Sequence, residues 1–253
     1  ATKLKIIDSS ESKTGKITGG NSTNYGSVVY LQAGDLTIEG GELTGNKGPN
    51  GAIQVTQNTP NCKVSVGGSA KIHGNTDSTG KIVRDIHLAV PESLVYISSE
   101  LTANLTVNSS VDERTSIYRT ARGLITNGYG KYNTADPSTK FKSANAPDYQ
   151  IIDSGAGKGL EAMYWCYSNL LNWEYACQQS MAGGGSQQTV ILYSDWNANS
   201  DSSYTTAFGT NTSYFYNGAL YVPAGANIVL DLRGFTVDRG LTNATKRDYG
   251  FVI

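Results

Sequence analysis

Short stretches in which apolar and polar residues alternate recur through the first half of the chain. Leu36 and Ile38, for example, flank the polar Thr37. Apolar pairs with the same spacing occur at five further places, namely Val29/Leu31, Ile53/Val55, Val64/Val66, Ile86/Leu88 and Val95/Ile97. Because successive side chains of a strand point to opposite faces, each pair predicts a short strand with one buried face.

A longer period is superimposed on this alternation. An apolar residue followed three positions later by Asn recurs every 29 residues, at Leu43/Asn46, Ile72/Asn75 and Leu101/Asn104. The segments around Leu4–Ile6 and Gly15–Asn21 form an earlier, less regular copy. Strands this short gain stability by stacking, with equivalent residues about 4.8 Å apart, so Leu43, Ile72 and Leu101 are expected to form one internal ladder. The pattern predicts an all-β fold, a parallel β-helix (solenoid); a β-sandwich is the alternative.

The second half contains one predicted helix. Leu170, Trp173, Cys177 and Met181 follow helical spacing between Asn169 and Ala182, and three glycines follow at 183–185. Strands are predicted to resume around Val190, Leu220 and Ile228 to Leu232. These elements give three parts: β-helix turns over 1–121, an irregular or edge-strand segment over 122–167, and a helix cap with further turns over 168–253.

Composition narrows the function classes. The 253 residues carry 20 Lys and Arg against 21 Asp and Glu, so the charge gives no reason to expect nucleic acid as a partner. The sequence contains no apolar run of the roughly 18 residues that span a bilayer, and membrane insertion is not expected. With 16 Tyr against 5 Phe and few charges, the chain suits an extracellular location, on the cell surface or secreted.

The sequence offers little catalytic or metal-binding chemistry. With 2 His and 3 Cys, neither a metal nor a cofactor is predicted. The loop Asp195–Asp201 alternates oxygen ligands as a calcium loop does, but it lacks the Gly required at the sixth position, which favours a solvated loop. A disulfide between Cys166 and Cys177 would require a turn between them, since a continuous helix would hold them about 16 Å apart.

Acidic and basic residues do cluster near one predicted strand. Asp231 and Arg233 share its outward face, and Asp238 and Arg239 follow closely. Two carboxylates at a suitable separation could serve polysaccharide cleavage. A surface ion pair is the favoured interpretation, because no second row of carboxylates is present on equivalent faces.

Longer segments resemble a known family. The residues TVILYSDW and LYVPAGANIVLDLRGFTVDRGL, together with LKIIDSSESKTGKITGGNST and VVYLQAGDLTIEGGELTGN, are similar to right-handed parallel β-helix domains of surface proteins and adhesins of Gram-positive gut bacteria. The resemblance covers roughly 1–120 and 168–253, and it implies a right-handed β-helix whose helix caps the first turn. It marks a fold and not a reaction. In that family the halves occur in the opposite order.

The reversed order has a physical consequence. A first turn without a capping helix exposes unpaired N–H and C=O groups, which template pairing with another chain. The C-terminal part could complete its own chain's first turn, complete that of a neighbour, or belong to one period of a tandem array. The expected contact residues are Leu4, Ile6, Leu170, Trp173, Cys177, Met181, Val190, Leu192, Leu220, Val222, Ile228, Leu230, Leu232, Phe251, Val252 and Ile253.

These observations predict a structural protein and not an enzyme. The expected partners are copies of the chain itself, added head to tail in a surface filament or stalk. A carbohydrate-binding or polysaccharide-cleaving β-helix is the alternative, as is an adhesin module that recognises glycans or a host surface.

Overall fold

The structure is a computed structural model that divides into two compact units, Ala1–Trp165 and Cys166–Ile253. The residues that it describes are 2–119, 123–145, 149–154, 161–166, 169–192, 194–197, 215–216, 219–238 and 251–252. The described part is mainly β, with most strands in parallel sheets and two short α-helices. Neither of those helices is long and apolar enough to cross a membrane.

The first unit is built around three parallel sheets. The longest strands form one sheet in the order β1 (Lys3–Ile6), β4 (Gly34–Ile38), β7 (Cys62–Gly68), β10 (Val95–Leu101) and β13 (Thr126–Asn127). A second sheet has the order β3 (Val29–Leu31), β6 (Ile53–Val55), β9 (Ile86–Leu88), β11 (Thr115–Tyr118) and β14 (Phe141–Ser143). Two-residue strands form the third, in the order β2 (Lys16–Ile17), β5 (Glu42–Leu43) and β8 (Lys71–Ile72).

The strand registers confirm the predicted equivalences. Leu36 lies opposite both Leu4 and Val64, and Ile38 lies opposite Ile6 and Val66. In the second sheet Ile53 lies opposite Val29 on one side and Ile86 on the other. The parallel pairing contradicts the sandwich alternative, which requires antiparallel neighbours. The in-facing aliphatic residues of the repeats form one continuous core.

One predicted equivalence is wrong. Leu101 lies opposite Gly68 in the first sheet, and not next to Ile72, while Asn104 is exposed. The cause is an irregularity in β10 between Ile97 and Leu101. There the Ser99 hydroxyl accepts the N–H of Gly68, at 2.9 Å, and shifts the register. The 29-residue ladder therefore extends from Leu43 to Ile72 and stops.

The segment 122–167 contributes both to these sheets and to a different layer. It supplies β13 and β14, the short helix α1 (Tyr129–Tyr132) and a 3-10 turn at Pro137–Thr139. It also forms a three-stranded sheet in the order β12 (Gly123–Leu124), β16 (Ala162–Cys166) and β15 (Tyr149–Asp153), in which β12 and β16 are antiparallel. The Ile125 N–H donates to the Ala162 carbonyl at 2.9 Å, so this sheet covers the core next to β13.

The second unit begins with the predicted helix, α2 (Asn169–Ala182). The N–H of Gly185, in the left-handed region at φ 89°, donates to the Ser180 carbonyl and ends the helix as the glycines predict. The strands that follow are β17 (Gln187–Ile191), β18 (Trp196–Asn197), β19 (Phe215–Tyr216), β20 (Ala219–Tyr221), β21 (Asn227–Asp231), β22 (Val237–Asp238) and β23 (Phe251–Val252).

These strands repeat the arrangement of the first unit on a smaller scale. Three parallel pairs are present, β17 with β21, β18 with β22 and β20 with β23, and β19 adds to β20 in antiparallel orientation. Trp173 of α2 packs into the core that they enclose, and its indole N–H donates to the Tyr221 carbonyl at 3.2 Å. The helix is thus fixed to the strands by both apolar packing and a hydrogen bond.

Candidate functional site

The first row of strands in the first unit is the first part of the candidate site. Among the described residues, β1, β2 and β3 each pair with a strand on one side only. Leu4 is 51% exposed and Ile17 is 37% exposed, whereas their neighbours Leu36 and Leu43 are fully buried. Leu4 and Ile17 are more exposed than the equivalent residues of the next repeat because β1 and β2 have a described neighbouring strand on one side only. We call β1, β2 and β3 the N-edge.

Among the described residues no strand pairs with β1 on the side away from β4, so the backbone groups on that side have no strand partner there. The carbonyls of Thr2 and Ile6 accept the N–H groups of Asp35 and Glu39, each at 2.9 Å. Since backbone groups alternate in direction along a strand, those of Lys3 and Lys5 point to the opposite side. A further parallel strand would find its donors and acceptors there.

Ion pairs reinforce the outer face of the N-edge. Lys5 Nζ lies 2.6 Å from Glu39, and Lys16 Nζ lies 2.9 Å from Glu42. The hydrogen bond from Lys5 lowers the pKa of Glu39. Burial opposes ionisation of Glu42, but Lys16 and His73, which lies 3.0 Å away, together hold the pKa of that carboxyl below its usual value. Both carboxylates therefore stay ionised beside the edge.

The second unit ends in a comparable row. Among the described residues, β21 and β22 each pair with one strand, β17 and β18. Leu232 is 44% exposed, although Leu192, which has the same place one strand earlier, is fully buried. Ile228 and Leu230 are half-buried against the core of the unit. We call β21, β22 and β23 the C-edge.

The backbone of β21 also leaves groups free on its outer side. The Asp231 carbonyl accepts the Leu192 N–H at 2.9 Å, which directs the backbone of Asp231 toward β17. By alternation the backbone groups of Ile228 and Leu230 point away from β17. The N-edge is the first strand row of its unit, and its open side precedes β1. The C-edge is the last row of its unit, and its open side follows β21.

The predicted contact residues fall into distinct groups. Leu4, Ile6, Ile228, Leu230 and Leu232 lie on the two edges and keep accessible surface. Five others are buried inside the second unit, namely Trp173, Cys177, Val190, Leu192 and Leu220. Val222 is half-buried and Met181 is exposed. The side chains of Leu170, Phe251 and Val252 are not described, and Ile253 lies outside the described residues.

The sequence interpretation missed several residues of these edges. Ile17 and Val237 occupy two-residue strands, which are too short to give a recognisable alternation. Lys5 lies on the outward face of β1, where the alternation between Leu4 and Ile6 could have placed it. The five-residue step from Ile38 to Leu43 is repeated from Leu232 to Val237 and could have located Val237, whereas eleven residues separate Ile6 from Ile17.

The other candidates carry less chemistry. The Asp231 carboxylate lies 3.7 Å from the Arg233 guanidinium, a loose ion pair within one turn, while Arg239 lies outside the described residues. Part of the Asp195–Asp201 loop also lies outside them, and in the described part Asp195 accepts the Thr236 N–H at 2.8 Å. No group of three potential metal ligands occurs among the described residues.

The cysteines are structural in character. Cys177 is a free, buried thiol, so no bond to Cys166 is formed, and burial raises its pKa to about 11. Cys62 is also free and buried, and its thiol donates to the Leu31 carbonyl at 3.3 Å. Both thiols lack the exposure that reactivity requires, and the raised pKa of Cys177 also disfavours its thiolate.

A buried carboxylate lies inside the first unit. Asp85 has no exposed surface, and its Oδ1 accepts both the backbone N–H and the side-chain amide of Asn75, at 3.0 and 2.8 Å. Its Oδ2 accepts the Ser116 N–H at 2.7 Å. Full burial outweighs these donors and raises the pKa of Asp85 to about 7. With all its neighbours buried or engaged, Asp85 supports the strands and is not placed to meet a substrate.

Comparisons of the chain with protein-family models, with curated proteins and with solved structures found no match. The edges themselves are therefore the features on which a functional hypothesis can be built.

Proposed function

We propose that this chain is an extracellular structural subunit whose units are both segments of right-handed parallel β-helix, and that copies assemble head to tail through these units. The observation that carries the proposal is the match between the two edges. Each combines strand backbone that has no described partner on one side with a row of partly exposed aliphatic residues, and the C-edge row has the spacing of Leu36, Ile38 and Leu43, the row that pairs with the N-edge. A non-closing contact between two different surfaces of one molecule generates a filament.

The spacing supports a shared β-helical design. In the first unit, five positions separate the last in-facing residue of the long strand, Ile38, from the two-residue strand at Leu43. In the second unit, five positions separate Leu232 from Val237. A C-edge placed beneath an N-edge would continue all three sheets, since β21, β22 and β23 correspond in order to β1, β2 and β3. Right-handed connection is the rule for parallel strands joined in this way.

Light scattering on the full chain tests the proposal. We expect masses that rise with concentration through multiples of the 26.9 kDa subunit. Lys5→Pro should remain monomeric, because proline removes an outward N–H of the N-edge while edge strands otherwise tolerate it.

Lys5→Ala is the matched control. Like Lys5→Pro it loses the ion pair with Glu39, but it keeps the backbone N–H and should still form oligomers, at a higher concentration than the wild type needs. Circular dichroism would show that both variants fold. A wild-type chain that stays at the monomer mass at every concentration would overturn the proposal.

A further inference from the structure

The outward faces of the two edges carry complementary charges. β1 presents Lys3 and Lys5, which alternate with Leu4 and Ile6 and whose side chains point away from the core. β21 presents Asn227, Val229 and Asp231 on its corresponding face. Lys5 and Asp231 each already have a partner in their own unit, Lys5 in Glu39 and Asp231 in Arg233. The Lys5 side chain is still 58% exposed and the Asp231 side chain 41% exposed, so each keeps surface that a second molecule can contact.

The spacing of in-facing residues selects one register between the edges. Leu36, Ile38 and Leu43 lie opposite Leu4, Ile6 and Ile17 in the first unit. In the second unit, Leu230, Leu232 and Val237 have the same intervals of two and five residues as Leu36, Ile38 and Leu43. Superposing these intervals places Leu230 next to Leu4 and Leu232 next to Ile6.

We propose that β21 of one copy pairs in parallel with β1 of the next copy in this register, with Asp231 beside Lys5. This inference rests on the proposed assembly and adds its register. The Lys5 N–H would donate to the Leu230 carbonyl, and the Leu232 N–H would donate to the Lys5 carbonyl, as parallel pairing requires. Lys5 then lies between the carboxylates of Glu39 and Asp231, each on a neighbouring strand.

A register shifted by two residues is less favourable. It would place Ile228 next to Leu4, Val229 beside Lys5 and Asp231 beside the apolar Ile7. The ion pair would be lost, and the five-residue interval that places Leu43 opposite Ile17 would no longer place Val237 there. Charge and spacing thus favour the same alignment independently.

Cysteine cross-linking distinguishes the two registers in the full chain. In the proposed register the Cα atoms of residues 5 and 231 lie about 5 Å apart, within disulfide range, whereas those of residues 5 and 229 lie about 8 Å apart. Oxidised Lys5→Cys/Asp231→Cys should therefore run as a ladder of covalent oligomers on a non-reducing gel, and Lys5→Cys/Val229→Cys should not. The native Cys62 and Cys177 are buried, and the wild type and the single variants are the controls.

The outcomes separate the register from the assembly itself. A ladder from the 5/229 pair alone, or no ladder from either pair while light scattering under reducing conditions still finds oligomers, overturns the register and leaves the assembly standing. Monomers in every sample, wild type included, overturn the proposed function as well. Mixing the two single variants, Lys5→Cys and Asp231→Cys, should give covalent dimers, which tests the contact without a doubly substituted chain.

Discussion

At the scale of single residues, a chain of side-chain hydrogen bonds joins neighbouring strands in the first unit. The Asn46 amide donates to the Ile17 carbonyl and to the Asn75 oxygen, and the Asn75 amide donates to the Leu43 carbonyl and to Asp85. Each Asn side chain both donates and accepts, so it can form hydrogen bonds with the repeat before it and the repeat after it. The Asp85 carboxyl oxygens accept from Asn75 and from the Ser116 N–H, and the chain of side-chain bonds ends there.

The burial of Asp85 predicts a pH dependence of stability. Its pKa is about 7 in the folded state, against an ordinary value of 3.8. Between these values the folded state binds more protons than the unfolded state, so this contribution to stability is present at low pH and falls as the pH rises toward 7. We expect the destabilisation caused by Asp85→Asn to be smaller at pH 8 than at pH 5, by about 1–3 kcal/mol.

Urea unfolding of both proteins at the two pH values measures this difference. Other titrating groups are shared by the two chains and cancel in the comparison. An equal destabilisation at pH 5 and pH 8 would mean that Asp85 does not change its protonation on unfolding.

At the scale of elements, α2 is held against the strands of the second unit by one buried side. Trp173, Ala176 and Cys177 pack against the strands, and the Ser180 hydroxyl donates to the Ser186 carbonyl and accepts the Asn227 N–H, each at 2.7 Å. Met181, although it fits the helical spacing, is 46% exposed. The apolar side is thus shorter than the sequence pattern predicts, because the last turn contacts the strands through Ser180 and not through Met181.

Trp173 tests how much this packing contributes. Trp173→Ala should lower the free energy of unfolding of the second unit by about 3–5 kcal/mol, because it removes a buried indole and leaves a cavity. Trp173→Phe is the matched variant, since it keeps an aromatic ring and loses the hydrogen bond to Tyr221. It should cost less than the alanine substitution. Urea unfolding followed by circular dichroism measures both, and two variants as stable as the wild type would exclude the assigned role.

At the scale of the whole molecule, the proposed assembly has two chemically different ends. A Lys5→Pro subunit keeps its C-edge and can add to the N-edge of a wild-type filament, but its own N-edge accepts no further subunit. It should therefore act as a chain terminator. One such subunit in ten should limit the mean length to about ten subunits or fewer, which electron microscopy or light scattering can measure.

The control for termination is Lys5→Ala at the same ratio. It keeps the backbone donor of the N-edge and should shorten the filaments much less than Lys5→Pro does. Filaments that are equally long with either variant would show that growth does not pass through β1.

Alternation and helical spacing are local properties of the chain, so they were enough to predict the in-facing residues of most strands, the bounds of α2 and the register of the repeats except at Leu101. The sequence could not identify Asp85 as the partner of Asn75. The two meet because the chain turns back through the antiparallel bridge between Thr76 and Val83. The position of Leu101 outside the ladder follows from the irregularity in β10, which is visible only in the tertiary structure. The same holds for the partial exposure of Leu4 and Leu232. Strand neighbours and burial depend on contacts between distant segments, which no local pattern encodes.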